Sequence, residues 1–178
     1  PDEMSRLKEV VLGNTPVLRA GGSITRVDNM REVYLQAVTK DVQIKRPLKV
    51  IAACGNGTAG AFAPDALRAM GVEVIELDCD LDFTFPKYNA NPEDAKMLHA
   101  MADAVKAHGA DVALGFDGDG DRCGVVDNTG EEIFADKIGL MLARDLSKEY
   151  PGSKFVVDVK STGLYKTDPV LKENGSEV

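Results

Sequence analysis

The sequence predicts an α/β fold in which βαβ-type units surround a mixed sheet. Short apolar runs such as Leu48 to Ala53 and Val112 to Phe116 read as buried strands. Between such runs lie segments with apolar residues at helical spacing: Met30, Val33, Tyr34, Ala37 and Val38 fall at i, i+3, i+4, i+7 and i+8. Strands alternating with helical patterns are what crossover connections produce.

The elements follow in order. A helix is expected over about Glu3 to Leu12, ending near Gly13-Asn14, and the stretch containing Pro16, Gly21 and Gly22 reads as a linker. A second helix runs from about Asp28 into Val42, and Pro47 stops it. The strand Leu48 to Ala53, the glycine-rich turn 55–60, a short helix from Ala63 to Met70 and the strand Val72 to Leu77 make one βαβ unit.

Residues 78–91 read as irregular. Asn91 is placed to cap the next helix, with Pro92 at its first position and Asp94 completing a capping-box-like pair. Leu98, Met101, Ala102 and Val105 form that helix's apolar face, and Gly109 closes it. The strands Val112 to Phe116 and Cys123 to Asp127 flank an acidic loop, and a turn follows at Asn128-Thr129-Gly130. A helix over Asp136 to Lys148, a strand over Phe155 to Val159 and a last helix finish the chain.

Composition excludes some partners. With 178 residues and 44% hydrophobic content, the chain can bury a core of one or two domains. A net charge of -8 argues against nucleic acid or anionic membrane. No apolar run approaches the roughly 20 residues that span a bilayer. Cys54, Cys79 and Cys123 share no Cys-x-x-Cys spacing, which favours free thiols in a reducing cytoplasm. His99 and His108 fall on one expected helix and read as surface residues.

The most informative segment is Gly115-Phe116-Asp117-Gly118-Asp119-Gly120-Asp121-Arg122-Cys123-Gly124. Residues two apart in a strand lie about 6.6 Å apart, too far to share a small cation whose oxygen ligands sit at about 2.0–2.1 Å. The backbone must therefore curl, and Gly118 and Gly120 permit the positive φ angles this can require. Three carboxylates about 4 Å apart repel by several kcal/mol per pair at an effective dielectric of about 20, so the loop calls for a cation. A calcium EF-hand would need Gly where Arg122 stands and Glu where Asn128 stands, with helices as flanks. A plain acidic turn is the bland alternative.

The same letters admit other chemistry. Gly55-Asn56-Gly57-Thr58-Ala59-Gly60 matches the dinucleotide fingerprint G-x-G-x-x-G, and Asp78 lies near the distance of a ribose-binding acid. Against this, Pro64 marks a helix that starts late and is short; a tight structural turn explains the glycines as well. The acidic loop also opens like a phosphatase motif, with Asp117 as nucleophile and Asp119 as acid. A third carboxylate, Asp121, fits a ligand better than a nucleophile's neighbour. Arg122 offers a fork suited to phosphate, and Lys160 a point charge just past an expected strand, where α/β sheets bind ligands.

These residues resemble the α-D-phosphohexomutases, the phosphomannomutase/phosphoglucomutase family. The run GFDGDGDRCGVVD at 115–127 is similar to that family's metal-binding loop. CGNGTAG at 54–60, FP…NP at 85–92, NTGEEI at 128–133 and DVKST at 158–162 follow the family's order. The resemblance implies that Asp117, Asp119 and Asp121 ligate Mg²⁺, with a phosphoserine completing the inner sphere. It implies that Arg122 faces phosphate groups and that Lys160 contacts the phosphosugar. The implied reaction moves phosphate between the 6- and 1-positions of a mannose or glucose phosphate through a bisphosphorylated intermediate. A glucosamine phosphate, or a stand-alone metal- or nucleotide-binding module, is the alternative.

The departures shape the remaining expectations. No serine among Ser5, Ser23, Ser147, Ser153, Ser161 and Ser176 stands in a T-A-S-H-N-P context, and no Gly-Glu-x-Ser pattern is present. Residues 1–27 resemble the tail of a first domain, 28–134 a nearly complete second domain, and 135–178 the opening of a third. The chain thus reads as an internal piece of a longer cytoplasmic enzyme, inactive alone for want of the phosphoserine. Apolar surface left bare on 135–178 would favour dimerisation.

Overall fold

The computed structural model describes residues 2–13 and 19–178. The chain divides into two compact units, 1–32 and 33–178. In the first, helix α1 (Asp2–Gly13) has an apolar side but no buried residue. The expected linker residue Pro16 lies outside the described residues. Helix α2 (Met30–Thr39) is shorter at both ends than the sequence pattern suggests. In the second unit its Tyr34 ring meets Phe62 edge-on, with centroids 5.5 Å apart.

The second unit is built on five strands: β1 (Lys49–Ala53), β2 (Glu73–Leu77), β3 (Val112–Phe116), β4 (Cys123–Asp127) and β5 (Glu132–Ile133). Their order across the sheet is β2-β1-β3-β4-β5. β1 pairs in parallel with β2 and β3, whereas β3–β4 and β4–β5 are antiparallel. The sheet is therefore mixed, as expected. The two-residue β5 has no apolar run of its own and escapes sequence reading.

Helices cover both faces. Ile51 and Ala53 of β1 pack with Met97, Met101 and Val105 of α4 (Ala95–His108), all fully buried. Ala52, together with Cys54 just beyond the strand, packs with Ala63 and Leu67 of α3 (Ala63–Ala69). Successive strand residues point to opposite faces, so α3 and α4 lie on opposite sides, and β1 is apolar from Val50 to Ala53 because both its faces are covered there. Burying each large side chain of α4 stabilises the fold by about 1.5–3 kcal/mol.

Asn91 does not cap α4. The cap is Asp94, whose Oδ1 accepts the amides of Lys96 and Met97 at 2.9 and 3.3 Å. Asn91 instead accepts the Glu93 amide and closes a separate turn, and Pro92 is buried outside the helix. The reason is a tertiary contact: Gly124 of β4 leaves so little room that an ideal Cβ there would lie 2.6 Å from Pro92 Cβ. Pro92 is thereby held against the sheet rather than in a helical turn. Gly109 ends α4 in the left-handed conformation, as expected. His99 and His108 are exposed.

A second core gathers Leu140 and Ala143 of α5 (Ala135–Glu149) with Tyr165 of α6 (Leu164–Thr167) and Leu171 of α7 (Pro169–Glu173). The strand expected over Phe155 to Val159 is not formed; a single parallel bridge joins Lys154 to Glu177. Phe155 and Val157 still turn inward onto this core while Val156 is fully exposed. The alternation is real, but among the described residues no neighbouring strand supplies a ladder for it. No helix among the described residues is long and apolar enough to cross a membrane.

Candidate functional site

β3 and β4 form an antiparallel hairpin in which Phe116 pairs with Cys123, and residues 117–122 are its tip. The tip turns tightly: the Gly120 amide donates to Asp117 O at 3.1 Å, and Gly120 holds a φ of +77°. This curl gathers Asp117, Asp119 and Asp121 so that one oxygen of each lies within 4.8 Å of the others. Asp117 is buried; Asp119 and Asp121 are exposed.

Arg122 organises the buried member. Its amide donates to Asp117 Oδ1 at 3.0 Å and its Nε to Oδ2 at 2.7 Å. Burial pushes the Asp117 carboxyl up, but the Arg122 amide and guanidinium outweigh it and hold the group below the usual carboxylate range. Each Asp117 oxygen keeps a second lone pair. The opposite holds at Asp121, whose carboxyl is pushed up by the charge of Asp119 and then of Asp117. The cluster is thus electrostatically unfavourable as it stands, and it offers only hard oxygen donors, the set that Mg²⁺ or Ca²⁺ takes.

The other residues singled out fall elsewhere. Lys160 is exposed in a turn after the extended segment 155–158, its amide bonded to Asp158 Oδ1 at 2.7 Å. Among the described residues no hydrogen bond or ion pair joins it to the acidic loop. Asp78 is engaged by Lys87 and by the Tyr88 hydroxyl, the latter at 2.6 Å. It is therefore not open to a ribose. The glycine turn 55–60 leads into a short 3-10 turn (Thr58–Ala61), and α3 starts only at Ala63. That late start removes the helix N-terminus a dinucleotide phosphate would use.

A cavity of about 480 Å³ adjoins Arg122, lined also by Pro92, Glu93, Cys123, Glu132 and Phe134. Glu93 and Phe134 carry no motif of their own; the folding of β5 back onto β4 brings Glu132 and Phe134 to this wall, and Glu93 comes from the turn before α4.

Residues 32–130 match the family described as phosphoglucomutase/phosphomannomutase, alpha/beta/alpha domain II. The chain belongs to this family. A phosphomannomutase/phosphoglucomutase of Pseudomonas putida is 38% identical over 156 residues, covering 88% of this chain and 33% of that protein. A phosphoglucomutase of Neisseria meningitidis serogroup B is 40% identical over 156 residues, with the same coverage of 88% and 33%. A crystal structure of a phosphoglucomutase/phosphomannomutase family protein from Burkholderia thailandensis superposes with a TM-score of 0.85 at 31% identity, covering 99% of this chain and 38% of that one. The chain thus spans about a third of the length of the curated relatives it matches. The α/β/α layering around β1 is the layering of the family's domain II.

Proposed function

We propose that this chain supplies the cation-binding loop of a phosphohexomutase, an isomerase that moves phosphate between C6 and C1 of a mannose or glucose phosphate. The observation that carries the reading is the convergence of three carboxylates at one hairpin tip in a chain of this family. Asp117, Asp119 and Asp121 would hold Mg²⁺, and a bound ion would neutralise charge on a phosphoryl group brought beside it. Arg122 fixes Asp117 through its Nε while its side chain stays 58% exposed, which leaves its terminal nitrogens able to meet phosphate. The cavity beside Arg122 is of a size that takes small ligands. Lys160 would meet a phosphosugar in this reading, from the exposed turn that carries it.

Residues 28–134 act in this reading as the second domain of the parent enzyme and 135–178 as the opening of its third, with the phosphoserine supplied from elsewhere in it. The chain alone would then show no mutase turnover. Calorimetric titration with Mg²⁺ tests the loop: we expect weak binding at one site, weakened further by Asp119→Asn with the fold intact by circular dichroism. Identical isotherms for the two proteins would sink the ligand assignment.

A further inference from the structure

The glycine-rich turn that resembles a nucleotide fingerprint touches the acidic loop directly. Thr58 sends both its amide and its hydroxyl to Gly118 O, at 3.0 and 3.2 Å. Gly118 stands between Asp117 and Asp119, so holding its carbonyl constrains the peptide planes from which both carboxylates project.

Gly57 adds a steric argument. Its backbone lies at φ -84° and ψ -178°, a region open to every residue, so local conformation does not call for glycine there. Space does. An ideal Cβ at Gly57 would lie 2.9 Å from both Gly118 Cα and Gly118 O, and 3.1 Å from Asp117 O. Those neighbours are backbone atoms that cannot rotate away. From the other loop, an ideal Cβ at Gly120 would lie 3.3 Å from Ala59 Cβ, so the two turns are in contact along several residues.

The turn is itself anchored to the sheet. The Gly57 amide donates to Cys54 O and the Asn56 amide to Asp78 O, both at 2.7 Å, while Asn56 Nδ2 donates to Asp80 O at 2.8 Å. These bonds tie the turn to the ends of β1 and β2.

We propose that Gly57 and Thr58 are positioning residues that brace the acidic loop, and that this bracing is what the G-x-G-x-x-G turn does in this chain. The brace opposes the mutual repulsion that would otherwise spread the three carboxylates apart. Its importance for cation binding rests on the reading of Asp117, Asp119 and Asp121 as ligands.

The test uses Gly57→Ala, Thr58→Val and Thr58→Ser, first in metal-free protein. Native-state hydrogen exchange is read at the Gly120 and Arg122 amides, which are bonded inside the loop to Asp117 O and Oδ1. We expect Gly57→Ala and Thr58→Val to speed their exchange about three- to tenfold, the scale of one hydrogen bond, while Thr58→Ser leaves it near wild type. Exchange at Ile51, deep in β1, should stay unchanged. If Ile51 accelerates equally, or if the loop amides stay as slow as in wild type, the brace is wrong. Should Gly57→Ala fail to fold, the Val and Ser pair at Thr58 still decides. A Mg²⁺ titration of the same proteins should show affinity falling by a similar factor. Wild type that binds no Mg²⁺ would overturn the ligand reading, and the exchange data would still judge the brace.

Discussion

Arg122 closes back on Asp117 from two directions, its amide 3.0 Å from Oδ1 and its Nε 2.7 Å from Oδ2. The carboxylate so held is only 3% exposed, whereas Asp119 and Asp121 stand in solvent. The three acids are therefore unequal: one belongs to the framework of the hairpin tip, and two are free to respond to what approaches it.

This inequality predicts how Arg122 substitutions behave. Arg122→Ala keeps the amide bond but leaves a buried carboxylate short of a partner, and the thermal midpoint should fall. Arg122→Lys should not restore it, because an ammonium cannot present the Nε of a guanidinium alongside the same backbone bond. Melting curves followed by circular dichroism check both; a lysine variant melting with wild type would remove the special standing of the fork.

The contact between Gly115 of β3 and α4 should be visible as coupling. An ideal Cβ at Gly115 would lie 2.6 Å from Met101 Sδ, and Met101 is fully buried. Gly115→Ala should cost about 1–3 kcal/mol through overpacking, and Met101→Ala about 2–5 kcal/mol through the cavity it leaves. Together they should cost less than the sum, since the truncated Met101 makes room for the new methyl. Urea unfolding of the four proteins completes the cycle, and strict additivity would contradict the coupling.

The second core carries a pH dependence. Asp168 Oδ2 lies 2.8 Å from Arg144 Nε and 2.6 Å from Nη2, while Oδ1 accepts the Val170 and Leu171 amides that open α7. The Arg144 hydrogen bond, working against burial, holds the Asp168 carboxyl below the usual range. The folded pKa is then lower than the unfolded value of about 3.9, so the stabilisation is complete above that value and is lost as pH falls through the folded pKa. Wild type should lose stability below about pH 4, and Asp168→Asn should start lower but lose less over that interval. Midpoints that fall in parallel would dismiss the role.

Thiol chemistry separates the three cysteines. Cys54 and Cys79 are buried with their sulfurs 3.4 Å apart, and the Cys79 thiol, then burial, pushes the Cys54 thiol up. Cys123, at the start of β4, is exposed. An aromatic disulfide reagent should therefore modify Cys123 first in native protein, slowly because partial burial pushes its thiol up, and all three thiols in urea. Mass mapping that places the first adduct on Cys54 or Cys79 would refute the assignment.

Much of this could be read from residues alone because it depends on local pattern. The strand residues 49–53, 112–116 and 123–127 declare themselves by apolar runs, and the three acids by their spacing. What could not be read depends on distant partners. Asn91 and Asp94 are both good capping residues, and only the approach of Pro92 to Gly124 decides between them. Asp94→Ala should accordingly cost about 1 kcal/mol of stability and Asn91→Ala less, by thermal melts. Phe155 to Val159 has strand-like alternation, yet pairing needs a neighbour that local sequence does not reveal. The glycine turn is structural, but its partners are distant too: Gly57 answers to Gly118, Gly55 to Ala90 and Gly60 to Cys79.

That separation has a bearing on the order of events during folding. Phe116 meets Cys123 across a tip of six residues, whereas Thr58 reaches Gly118 across sixty. By loop-closure entropy the longer closure is dearer by about 2 kcal/mol. The acids should be gathered early by a quick local turn and remain a loose cluster until β1 aligns beside β3. Pulsed exchange during refolding should then show protection across 123–127 before the Gly120 amide is slowed; the reverse order would refute it. The part of the molecule most charged against itself is thus brought together first and locked in place last.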